Sequence, residues 1–128
     1  LRNGEFYRST DGGANFDFVT DFGNNYLRLA VTDTDNDLLY ISHGNELHKS
    51  TDEGATFPTT EDLPESNMVI SFSPLNNNEL LVGNFEIYQS SNGGTDFNAI
   101  THWLGNGGLP LIHVDQRNIF TNPRIYFY

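Results

Sequence analysis

The sequence predicts an all-β chain built from blades of four antiparallel strands, and two observations carry that prediction. The first is an octet that occurs three times: Ser9-Thr10-Asp11-Gly12-Gly13-Ala14-Asn15-Phe16, Ser50-Thr51-Asp52-Glu53-Gly54-Ala55-Thr56-Phe57 and Ser90-Ser91-Asn92-Gly93-Gly94-Thr95-Asp96-Phe97. The copies begin 41 and then 40 residues apart, and a fixed period near 40 residues suits one four-stranded β-propeller blade. The second is a series of short runs rich in β-branched and aromatic residues, punctuated by Asn, Asp, Gly and Pro, with no sustained helical period.

Taken in order, residues 3–9 recur as 44–50 and 84–90, with Glu5, Glu46 and Glu86 each four residues before the first Ser of an octet. Each stretch reads as a short strand entering the octet turn. Phe16–Val19, Thr56–Thr59 and Asp96–Ile100 then read as outer strands, where Pro58 is tolerated because an edge can spare an N–H. The other half of each period is a more apolar hairpin: Tyr26–Val31 with Leu38–Ser42, Met68–Phe72 with Leu80–Gly83 around the turn Pro74–Asn78, and Leu111–Asp115 with Ile125–Tyr128. With strands lettered A to D from the centre outward, 1–25 holds C and D of one blade, 26–66 and 67–110 are full blades, and 111–128 holds A and B of the next. The expectation is a partial propeller, an excerpt of a larger one. The alternative is that the terminal halves of two copies pair, so that two chains complete six blades.

Seventeen acidic residues against six basic ones leave a net charge of −11, with Lys49 the single lysine. Such a surface repels phosphate backbones and anionic lipid, so no nucleic-acid partner is expected. The absence of cysteine excludes a disulfide framework, thiolate zinc sites and a cysteine nucleophile. No apolar run approaches the roughly 20 residues of a membrane span, so membrane insertion is not expected either.

The octet pattern, Ser-x-Asp/Asn-x-Gly-x-x-Phe, describes a turn with its own fastening. The third residue can accept backbone N–H groups as in an Asx turn, the Gly supplies an unusual backbone angle, and the closing Phe enters the core. At Ser9, Asp11, Gly13 and Phe16, at Ser50, Asp52, Gly54 and Phe57, and at Ser90, Asn92, Gly94 and Phe97, the chain resembles the Asp-box (bacterial neuraminidase repeat) propellers. That superfamily includes sialidases, sortilin-type receptors, xyloglucan-cleaving hydrolases and secreted bacterial propellers. The resemblance spans all three periods; Asn92 departs from the usual Asp. It implies structural rather than catalytic octets, a secreted or cell-surface bacterial protein, and a binding face on the opposite edge.

Strand alternation places the octets and the A–B turns on one edge, leaving Asp21–Asn25, His43–Asn45, Glu61–Asn67, Gly83–Phe85 and Thr101–Pro110 for the other. The last loop leads into a segment similar to one in secreted Asp-box propellers, where an inner strand opens His-x-Asp-x-His. Here His113 and Asp115 match and Arg117 stands in place of the last His. His113, Asp115, Arg117, Trp103, Asn106 and His43 are therefore the ligand-binding candidates, with a buried His–Asp–Arg packing cluster as the alternative for the first three.

Asp33-x-Asp35-x-Asp37 reads as an acidic hairpin turn, because it lacks the Gly and the trailing Glu of a calcium loop. No metal or other cofactor is expected. No complete catalytic set is present: the arginines lack a sialidase context, and Asp115 has no partner carboxylate for glycoside hydrolysis. The function expected is a binding or adhesion module for glycans or cell-surface partners. Alternatives are a glycoside hydrolase whose other groups lie elsewhere, and a self-assembling lectin-like propeller.

Overall fold

The computed structural model describes residues 4–23, 26–32, 35, 37–66, 68–73 and 76–101. Within them the chain is all-β: β1 (Glu5–Arg8), β2 (Asp17–Asp21), β3 (Leu27–Val31), β4 (Leu39–His43), β5 (Glu46–Ser50), β6 (Thr59–Asp62), β7 (Val69–Ser73), β8 (Asn76–Gly83), β9 (Ile87–Ser90) and β10 (Asn98–Ala99). β3–β6 form one four-stranded antiparallel sheet in chain order, β7–β10 form a second, and β1 pairs with β2 alone. The two larger sheets are blade-like; the described sheets do not close a propeller ring. The strands expected at 111–115 and 125–128 lie outside the described residues.

β4 is the pivot of the packing. A strand buried on both faces reads as an unbroken apolar run, and Leu38-Leu39-Tyr40-Ile41 is such a run. Side chains alternate between faces, so Tyr40 goes to one neighbour sheet while Leu39 and Ile41 go to the other. On the first side Tyr40 meets Ala30, Leu47, Met68, Phe72, Leu80 and Val82 in the core that joins β3–β6 to β7–β10. On the second side Leu39 and Ile41 meet Phe6, with Val19, Phe22, Leu27 and Phe57 packed around them. Fully burying one side chain such as Leu47 or Leu80 contributes roughly 1.5–3 kcal/mol, so the inter-sheet seams are the main apolar term. β6, by contrast, is an exposed outer strand of Thr-Thr-Glu-Asp.

Three local expectations change. The outer strand expected at Thr56–Thr59 is β6, Thr59–Asp62, because the octet turn, in which Asp52 holds the Thr56 N–H, runs on through Pro58. Glu61 and Asp62 thus belong to the strand rather than to the following loop. β8 begins at Asn76 rather than Leu80, with Ser73 paired to Asn76 across a register shift. The asparagines are drawn into the strand because the Asn78 carbonyl accepts the Gly93 N–H at 2.8 Å from the third octet. The closing aromatic rings also differ among themselves. Phe57 makes edge contacts with Phe6 and Phe22 of the preceding unit at 5.2 and 5.3 Å, and Phe97 packs on the Tyr40–Leu47 core. Phe16 is 64% exposed. An octet's Phe is covered by the sheet that precedes it, and among the described residues no sheet precedes β1.

Candidate functional site

The register divides every sheet into two edges. Leu27, His43, Glu46 and Asp62 form one row across β3–β6, while Val31, Leu39 and Ser50 stand at the other end. The octets all leave from the second edge. The β4–β5 turn and the connection from β6 to β7 belong to the first.

Within each octet the serine hydroxyl donates to the third residue, at 2.8, 2.7 and 2.9 Å, and accepts the N–H of the fifth-position glycine, at 2.8, 2.9 and 2.9 Å. The Oδ1 of Asp11, Asp52 and Asn92 then accepts the N–H of Asn15, Thr56 and Asp96 respectively, at 2.9, 2.9 and 3.0 Å. These donors lower both aspartate carboxyls to about 2; the Asn15 N–H is the largest cause at Asp11 and the Thr56 hydroxyl at Asp52. A carboxylate whose two oxygens are already hydrogen-bonded and which resists protonation is a poor general acid. The fourth and fifth positions both turn left-handed, with φ of 74° and 91°, 56° and 80°, and 72° and 92° in the three copies. Glu53 is the one non-glycine among these six, and its carboxylate takes the Arg8 guanidinium at 2.6 Å.

A compensating exchange runs through the copies. Where the third residue is Asp, the seventh is a donor: Asn15 Nδ2 and Thr56 Oγ1 each reach a carboxylate oxygen at 2.6 Å. Where the third is Asn92, the seventh is Asp96, and the amide donates to its carboxylate at 2.9 Å. Asn92→Asp alone is therefore expected to cost roughly 1 kcal/mol, by losing that bond and setting two carboxylates face to face. Adding Asp96→Asn should restore most of it. Urea unfolding of the two single variants and the double variant measures the coupling; additive losses would contradict the exchange.

On the opposite edge the sequence candidate His43 ends β4, and Trp103, Asn106, His113, Asp115 and Arg117 lie outside the described residues. The Gly44–Asn45 turn makes His43 and Glu46 cross-strand partners. Glu46 and His48 share one face of β5 because they are two residues apart. The result is a triad of His43, Glu46 and His48, one donor atom of each lying within 4.8 Å of the others. Phe22 packs on His48 with ring centroids 4.6 Å apart.

His48 Nδ1 lies 3.1 Å from the Thr60 hydroxyl on β6. Its Nε2 lies 3.2 Å from Glu46 Oε2. That contact is an ion-pair approach outside good hydrogen-bond geometry, and the buried Nε2 of His43 likewise lacks a hydrogen-bond partner. The His43 atom nearest the carboxylate is Nδ1, at 4.0 Å. Burial lowers the His48 pKa; Glu46 opposes that and His43 adds to it. The imidazole therefore favours its neutral form. Glu46 and His48 were missed as site residues because no single strand carries three ligands. Their signal was His-x-x-Glu-x-His across a two-residue turn.

The same edge carries a second built feature. Glu65, in the connection from β6 to β7, accepts the Phe85 N–H at 3.0 Å and the Tyr88 hydroxyl at 3.1 Å. Asn84 Nδ2 donates to the Ser66 carbonyl at 3.0 Å. Burial, then the Glu65 contact, pushes the Tyr88 hydroxyl up to about 12, so it stays a donor. Phe85 is left 60% exposed on this braced turn. On the octet side, a groove of about 190 Å³ between Lys49, Thr59, Glu61 and Thr95 falls short of the roughly 300 Å³ at which small-molecule pockets begin. No family model matches the chain, and no curated protein matches it by sequence.

Proposed function

We propose that the chain is a glycan-binding module of a secreted bacterial protein of the Asp-box kind, and that its ligand surface is the edge opposite the octets. One observation carries this reading: the Glu65 brace fixes the turn on which Phe85 stands exposed, between Asn84 and Glu86 in the chain. A flat aromatic face beside fixed polar groups suits a sugar ring, whose C–H face stacks while its hydroxyls take hydrogen bonds. The octets support it indirectly, since their acidic groups are occupied in fastening turns and leave recognition to the other edge. The resemblance of the three octets to Asp-box proteins supplies the extracellular setting and the ligand class.

A glycan array probed with the full chain tests the proposal. Binding to a defined glycan class is expected, weakened about tenfold by Phe85→Ala, the equivalent of an aromatic contact worth about 1.4 kcal/mol. An array without a bound glycan, or a Phe85→Ala variant that binds unchanged, would overturn it.

A further inference from the structure

We propose that His43, Glu46 and His48 form a site for a divalent transition cation of the zinc class. Two imidazoles and one carboxylate are a donor set that zinc takes in open sites, where three protein ligands leave a position for water or another oxygen. Donors on a tetrahedral zinc with bonds of about 2.0–2.1 Å stand about 3.4 Å apart. The Glu46–His48 pair, at 3.2 Å, is already at that spacing. His43 Nδ1, 4.0 Å from Glu46 Oε2, needs only a small closure, and the Glu46 side chain, 52% exposed, is free to rotate towards it.

The independent observation is the state of the ring nitrogens. His48 is 9% exposed, and its Nε2 and that of His43 are buried without hydrogen-bond partners among the described residues. Leaving such an atom unsatisfied costs about 1–3 kcal/mol, and coordination removes that cost at His48 Nε2, the ligand nitrogen of its ring. At His43 the nitrogen that faces Glu46 is Nδ1, so the observation supports the site through His48 alone. The surroundings fit as well. If Nδ1–H of His48 donates to the Thr60 hydroxyl, Nε2 is left with its lone pair, the arrangement by which an outer partner orients a metal-bound histidine. Phe22 covers the His48 ring and limits its rotation. The cation site stands apart from the glycan reading: it uses neither Phe85 nor Glu65.

Calorimetric titration of the metal-stripped full chain with zinc chloride tests it, with the visible spectrum of added Co²⁺ reporting the ligand geometry. One zinc per chain is expected, weakened more than tenfold by Glu46→Gln and by His43→Gln. The chain has four histidines, so a His102→Gln/His113→Gln double variant serves as the control and should bind unchanged. Circular dichroism establishes that each variant is folded; if His43→Gln is not, the exposed Glu46→Gln decides alone. A chain that binds no zinc, binding lost only in the control variant, or binding weakened less than tenfold by Glu46→Gln overturns the site.

Discussion

Gly94→Ala is expected to destabilise the protein far more than Gly13→Ala, although the two glycines hold the same octet position and nearly the same φ, 92° and 91°. Forcing a residue with a Cβ into the left-handed region costs about 1–2 kcal/mol at either site. At Gly13 that is nearly all, because the nearest atom to the new methyl is Phe16 Cζ at 3.9 Å. At Gly94 the methyl would stand 2.7 Å from Leu47 Cδ2 and 3.2 Å from Leu80 Cδ1. Both leucines are buried in the seam between sheets, and overpacking there adds about 1–3 kcal/mol. Thermal or urea unfolding should therefore separate the variants by more than about 1 kcal/mol. Equal losses would mean that the octet glycine serves backbone conformation only, not the approach of one sheet to the next.

Tyr40→Ala should be among the most damaging single changes in the chain, costing about 3–5 kcal/mol. The ring is 1% exposed and fills the seam against Phe72 at 5.3 Å, and Lys49 Nζ sits 5.6 Å from its centroid. Its hydroxyl donates to the Gly93 carbonyl at 2.7 Å, so one side chain of β4 fastens the octet of the following sheet. Tyr40→Phe separates the two roles. It keeps the ring and leaves the Gly93 carbonyl without that donor, which should cost about 1–3 kcal/mol. Urea unfolding of both variants reads the difference; a Tyr40→Phe variant as stable as the parent chain would show that water replaces the hydroxyl.

The sheets were legible because the octet is a ruler: its 40-residue spacing predicts four short strands per period, and β3–β6 and β7–β10 are such sets. β4 was legible from its apolar run, though not its two-sided burial, which depends on neighbours more than 30 residues away such as Phe6 and Phe72. The differing exposure of Phe16, Phe57 and Phe97 was not legible, because the motif is the same and only the preceding sheet differs. The His43–Glu46–His48 triad needed the hairpin register: as a linear string it alternates with Gly44, Asn45 and Leu47. His113, Asp115 and Arg117 stood out by their likeness to a His-x-Asp-x-His segment of Asp-box propellers, a signal of spacing alone, and they lie outside the described residues.

The exchange between Asn92–Asp96 and the Asp11–Asn15 and Asp52–Thr56 pairs constrains how such turns can diverge. A lineage moving from an Asp–Asn turn to an Asn–Asp turn changes one codon at a time and must pass through an intermediate. An Asp–Asp intermediate sets like charges together, whereas an Asn–Asn intermediate is neutral and still offers a donor and an acceptor. Drift between the two forms should therefore run through the doubly amidated turn. For the same reason an octet moved from one period to another carries its own complement with it, so the turn, rather than the single residue, is the unit that can be exchanged among the repeats.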